Sequence, residues 1–139
     1  MMYLTRRYSF SASHRLHNPQ LAAEQNERIY GKCNSPHGHG HNYALEITVA
    51  GVPHPATGMV VNLAELDDFV QRTILDRFDL AYLNDDRDAF RAAVPTTENL
   101  CRSIYHLLQT GFQTAPVERV RLEETSRNAF EYAGESEGE

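Results

Sequence analysis

The sequence is sparing in cysteine, has no tryptophan and is short of positive charge: its 139 residues hold 2 cysteines and set 13 lysines and arginines against 19 aspartates and glutamates. Two cysteines, Cys33 and Cys101, cannot build a disulfide framework. The first residues, Met-Met-Tyr-Leu-Thr-Arg-Arg-Tyr, lack the apolar centre of a secretory signal. A cytoplasmic setting with reduced thiols is therefore expected. No run of about 18 apolar residues occurs, which excludes a membrane-spanning helix. The net charge of −6 argues against nucleic acid and anionic membrane as partners. What is present is ordinary for a folded protein: 41% hydrophobic and 23% charged residues, enough to exclude a disordered chain. The length fits one domain with a real core, expected over residues 1–134 and followed by a short acidic tail at 135–139. The surplus is histidine, with 7 in the chain, and His37, His39 and His41 fall within one short stretch.

Periodicity orders the chain. Residues 3–14 predict a strand, with Tyr8, Phe10, Ala12 and His14 on one face and Ser9, Ser11 and Ser13 on the other. Residues 17–37 read as a long loop, because Asn18-Pro19, Gly31, Asn34, Ser35 and Pro36 are turn residues. Residues 38–50 predict a second strand that lines up His39, His41, Tyr43, Leu45, Ile47 and Val49. Gly51-Val52-Pro53-His54-Pro55 ends it, and Thr57-Gly58 makes a turn. A helix is expected over 63–77: Asn62 suits its N-cap, Glu65 completes a capping-box pattern, and Leu63, Leu66, Phe69, Val70 and Ile74 make its apolar stripe. A second helix begins after Pro95-Thr96, carries Leu100, Ile104, Leu107 and Leu108, and ends near Gly111. Strands follow over 117–125, with Val120, Leu122 and Glu124 on one face, and over 129–133. Strands segregated from helices indicate an α+β domain with a mainly antiparallel sheet. Its second face needs cover, so a homo-oligomer is expected.

The chemistry gathers around three histidines. His39 and His41 point the same way from one strand, and His14 ends another on its apolar face. An antiparallel pairing of these strands sets all three imidazoles together. Three neutral imidazoles with a fourth position open suit a catalytic zinc ion. The residue pattern alone leaves ordinary hydrogen-bonding histidines as an equal alternative. His37 reads as a loop residue outside the cluster, and His17, His54 and His106 as surface or partly buried groups. Cys33 lies in a polar loop next to Lys32; close to zinc and cations its thiol would be acidified and fit to act as base or nucleophile. Cys101, beside Leu100 in a helix, reads as core. Glu124 ends an apolar face and needs a partner, either an arginine or a planar ligand offering paired N–H groups. Asp79, Asp85 and Asp86 read as turn residues, and Glu98 as a favourable charge in the first turn of a helix.

Four blocks then resemble one family: Phe10-Ser11-Ala12-Ser13-His14-Arg15-Leu16, Gly31 to Tyr43 (GKCNSPHGHGHNY), Thr57-Gly58-Met59-Val60-Val61-Asn62-Leu63, and Pro95-Thr96-Thr97-Glu98-Asn99. Together they resemble the 6-pyruvoyl-tetrahydropterin synthase and 6-carboxytetrahydropterin synthase family, over about residues 3–134. The resemblance implies the tunnelling fold, a four-stranded antiparallel sheet with two helices inserted between strands 2 and 3. It implies closure into an oligomeric barrel and a homohexamer, a dimer of trimers with active sites between subunits. It implies zinc on His14, His39 and His41, Cys33 as catalytic base, Asp79 as its relay partner, Glu124 as anchor of the pterin ring, and Thr97 and Glu98 in contact with that ring. The substrate implied is 7,8-dihydroneopterin triphosphate, from which triphosphate is eliminated to give 6-pyruvoyl-tetrahydropterin. The alternatives are the queuosine-branch enzyme, which releases acetaldehyde and commonly has a shorter Cys-to-His gap, and a diverged pterin-binding protein. The last is motivated by Leu80, which stands where the family has a proton-relaying histidine; leucine carries no proton.

Overall fold

A computed structural model describes residues 1–91 and 93–135. The chain runs β1 (Met2–His14), α1 (Ala23–Tyr30), β2 (His39–Gly51), α2 (Leu63–Val70), a π-helical stretch (Gln71–Leu75), α3 (Asp76–Phe78), β3 (Ala81–Tyr82), α4 (Thr97–Gly111), β4 (Val117–Thr125) and β5 (Asn128–Tyr132). The sheet order is β3-β1-β2-β4-β5. The β1–β2 hairpin is antiparallel along its whole length, from Met2 opposite Gly51 to His14 opposite His39.

Alternation decides which way the sheet faces. Phe10, Tyr43, Leu45, Ile47, Val120 and Leu122 point to one side and are buried against Leu66, Val70, Ile74, Phe78, Leu100, Ile104 and Leu108 of the helices. The other side is polar: Thr5 meets Thr48 at 2.7 Å, Ser11 meets Asn42 at 2.6 Å, and Arg121 meets Glu46 at 2.5 Å. Helices thus cover one face of one sheet, as an α+β chain requires. No helix among the described residues is long and apolar enough to cross a membrane.

Three expectations change. First, the sheet has five strands, not four. The addition, β3, pairs parallel with β1 through only Ala12–Ala81 and Ser13–Tyr82, and two residues carry no periodicity to read. Second, the loop expected over 17–37 contains α1. This helix has no apolar stripe; its buried residue is Asn26, whose side chain accepts from the Asn18 amide at 2.7 Å and donates to the Asn18 carbonyl at 2.9 Å. A polar side chain stands in for a hydrophobic contact, so the pattern is silent. Third, Asn62 does cap α2, accepting from the amides of Ala64 at 2.9 Å and Glu65 at 3.2 Å, but Glu65 does not return the bond. Its carboxylate accepts from Thr114 at 3.2 Å instead, which ties α2 to the segment after α4. The acidic tail expected at 135–139 lies, from residue 136 on, outside the described residues.

Candidate active site

The end of β1 and the start of β2 set the histidines. His14 and His39 are direct cross-strand partners and His41 is two residues further along the same face. The three rings sit edge to face, with centroids 4.8, 5.2 and 4.7 Å apart. One nitrogen from each falls within 4.8 Å of the others. Gly38 makes this approach possible: its φ is +72°, and a Cβ there would lie 2.7 Å from the His14 carbonyl oxygen.

The hydrogen bonds assign the protons. His14 Nδ1 lies 2.8 Å from the Pro95 carbonyl oxygen, which only accepts, so Nδ1 carries the hydrogen and Nε2 presents its lone pair. That Nε2 stands 3.2 Å from His39 Nε2. His41 Nε2 and His39 Nδ1 are buried without any partner. Burial, first, holds His14 and His39 below the usual imidazole range, so both are neutral at pH 7, the form that binds metal. A buried nitrogen without a partner and converging lone pairs fit a cation. A tetrahedral zinc with bonds of about 2.0–2.1 Å wants nitrogens about 3.3–3.4 Å apart, close to the shortest separation here. Three imidazoles and no thiolate leave a coordination position for ligand.

Glu124 closes the opposite wall. The β4–β5 ladder runs from Glu123–Ala129 straight to Thr125–Asn128, so Glu124 is the extra residue of a bulge, free of a cross-strand partner. Thr97 donates its hydroxyl to Glu124 Oε2, Asn128 Nδ2 donates to Oε1 at 3.2 Å, and His41 Nε2 stands 3.9 Å from Oε2. The arginine partner that the sequence left open does not appear among the described residues. Thr97 begins α4 and is itself buried, because Thr96 caps the helix by accepting from the Asn99 amide at 3.1 Å. Tyr43, stacked on Phe10 at 5.0 Å and edge-on to His41 at 5.7 Å, presents a buried hydroxyl with no partner.

Cys33 sits half-buried in a 3₁₀ turn (Gly31–Asn34), held to the end of β1 by a 2.8 Å bond from the Leu16 amide to its carbonyl. Burial and then the Glu124 charge push its thiol up. The acidification expected from its surroundings is therefore not supplied by the protein's own groups, and Lys32 is exposed.

The structure thus brings His14, His39, His41, Glu124 and Thr97 together, with Cys33 inside the field of Glu124. Asp79 stands elsewhere: its carboxylate accepts from the Ser11 amide at 2.9 Å on the outer edge of β1, and among the described residues no hydrogen bond joins it to Cys33. Leu80, next to it, is 86% exposed and has φ +60°. Glu98 is exposed in the first turn of α4, and His37 is exposed in the turn before β2. Sequence reasoning missed Pro95, Asn128 and Tyr43. Only Tyr43 left a signal, since it shares the period-two face of His39 and His41.

Comparison with known proteins agrees. A family model described as 6-pyruvoyl tetrahydropterin synthase matches residues 3–135. The 6-pyruvoyl tetrahydrobiopterin synthase of Poecilia reticulata is 43% identical over 133 residues, 96% of this chain and 90% of that protein. The Homo sapiens protein of the same name is 43% identical over 132 residues, 95% of this chain and 91% of that one. The solved structure of Caenorhabditis elegans 6-pyruvoyl tetrahydropterin synthase superposes with a TM-score of 0.90 at 36% identity, covering 96% of each chain.

Proposed function

Because the chain belongs to the 6-pyruvoyl tetrahydropterin synthase family, we propose that it eliminates triphosphate from 7,8-dihydroneopterin triphosphate to give 6-pyruvoyl-tetrahydropterin, with zinc held by His14, His39 and His41. It is an enzyme of the lyase type. The observation that carries the reading is the cluster of three imidazoles, one ring nitrogen of each within 4.8 Å of the others, facing a carboxylate that pairs with no arginine or lysine among the described residues.

Bound zinc supplies Lewis-acid polarisation of the substrate's side-chain hydroxyls, which acidifies the neighbouring C–H. The chain's residues do the remainder. Glu124 accepts two N–H bonds from the edge of the pterin, its carboxylate steadied by Thr97 and Asn128. Cys33, as thiolate, takes the carbon-bound proton. The electrons of that C–H bond, on the side-chain carbon next to the ring, pass into the ring's C=N bond, so this carbon becomes a ketone as the ring is reduced to the tetrahydro level. Loss of the proton on the next carbon then expels triphosphate, the C–O electron pair leaving with the phosphate, and the enol left behind becomes the second ketone. Glu98 is assigned a contact with the pterin ring, and Asp79 a relay role. From the outer edge of β1, Asp79 serves the site of a neighbouring copy. A homohexamer of two closed trimers accommodates this, and the polar sheet face and the free edges of β3 and β5 support it. Closure removes those edges. A cytoplasmic location completes the proposal.

Mass spectrometry of the products from zinc-loaded protein and 7,8-dihydroneopterin triphosphate tests the reading. The expected product has lost triphosphate and kept every side-chain carbon. A carboxylated pterin with acetaldehyde indicates the queuosine-branch reaction, and unchanged substrate overturns lyase activity.

Leu80 favours a second reading, a pterin-binding protein with slow turnover. Leucine at φ +60° costs about 1–2 kcal/mol against a right-handed conformation, whereas histidine is among the residues enriched there. Leu80→His is therefore expected to fold at least as well and to raise kcat by about tenfold or more by restoring a proton carrier. An unchanged kcat with retained fold removes the second reading's premise.

A further inference from the structure

The exit of β1 and the turn that carries Cys33 enclose a cavity of about 350 Å³ whose lining includes Arg15, Glu27, Gly31, Lys32, Asn34 and Ser35. We propose that this cavity is a polyphosphate subsite, in which Arg15 and Lys32 grip the triphosphate of the substrate; the assignment rests on the function proposed above.

Three observations converge. Arg15 is held ready: its amide donates to Asn84 at 2.8 Å, its carbonyl accepts from Asn84 at 2.8 Å, and its Nε donates to the Asn34 carbonyl at 3.1 Å. The two terminal nitrogens of its guanidinium make no hydrogen bond among the described residues and offer an anion the fork that suits phosphate. Neither Arg15 nor Lys32 forms an ion pair among the described residues, Glu27 included. In a protein of net charge −6, such a pair of uncompensated cations is where a polyanion is tolerated. Finally, the wall of the cavity is the turn of the proposed base: Lys32 and Asn34 flank Cys33, and Leu16, next to Arg15, bonds the Cys33 carbonyl at 2.8 Å. The leaving group is thereby placed beside the group that takes the proton.

The probe is inorganic tripolyphosphate, titrated calorimetrically into zinc-loaded protein and used as an inhibitor of turnover. Wild type should bind it, bind it less as salt is raised, and lose it on addition of 7,8-dihydroneopterin triphosphate. Lys32→Gln removes an exposed side chain that makes no hydrogen bond among the described residues, so the fold is kept. It should weaken tripolyphosphate binding about tenfold and raise KM by a similar factor, with a much smaller change in kcat. Lys32→Arg should restore both. The subsite is overturned if wild type does not bind tripolyphosphate, if Lys32→Gln binds it as wild type does, or if the pterin fails to displace it. A wild type that binds tripolyphosphate through Lys32 yet forms no product strikes the proposed reaction and supports the anion site.

Discussion

Changing Cys33 to alanine should lower kcat by about 10²–10⁴-fold, the usual worth of a positioned acid or base, and leave zinc stoichiometry at the wild-type value. The two halves of this outcome follow from different parts of the structure. The sulfur lies on a half-buried turn fixed through its backbone, by the Leu16 amide on the Cys33 carbonyl and by Asn34 Nδ2 on the Leu16 carbonyl at 2.8 Å. None of those bonds uses the thiol, so the turn survives its loss. The nitrogens proposed to bind the metal come from the strands and are equally untouched. KM should change little, since Glu124 and the proposed phosphate contacts remain. Turnover kinetics with metal analysis on the same sample decides the matter: substantial activity in Cys33→Ala takes the residue out of the mechanism.

The other large effect is expected at His41. Its Nε2 is buried without a hydrogen-bond partner among the described residues and stands 3.9 Å from Glu124 Oε2, so it stands between the proposed metal ligands and the proposed anchor of the ring. His41→Ala should weaken zinc binding by more than about 10²-fold, beyond the loss typical for an outer hydrogen-bonding partner of a metal ligand, and turnover should vanish with it. His37→Ala is the matched control. That residue is exposed in the turn before β2, and its removal should alter neither quantity. Competition with a chelator gives the affinities; near-wild-type affinity in His41→Ala would break the three-histidine assignment.

Much of this site was legible because it depends on parity. Strands alternate with a period of two, so one glance at β1 and β2 put His14, His39 and His41 on a shared face and at adjoining ends. Leu122 and Glu124 followed by the same count. The helix stripes from Leu66 to Ile74 and from Leu100 to Leu108 were legible for the same reason: apolar burial leaves a period. Features built on single polar contacts left no trace. Nothing in the sequence announces that the Pro95 carbonyl fixes the tautomer of His14, that Asn128 steadies Glu124, or that Asn26 holds together a helix without an apolar face. The place of Asp79 was illegible for another reason. Its role came from resemblance, while its position is set by bonding to the edge of β1, a long-range contact that no local pattern encodes.

Pro95 and Thr97 flank the capping Thr96 at the entrance to α4. One bonds His14, the other bonds Glu124. A single strut therefore braces a proposed ligand of the ion and the proposed anchor of the ring. An insertion in the connection leading into α4, or a slip of that helix along the sheet, displaces both at once, whereas a change confined to β4 displaces only the carboxylate. The two selectivities share a hinge point and cannot drift apart through changes at this end of the helix. A lineage departing from pterins while keeping its metal would have to make its substitutions in β4 and β5.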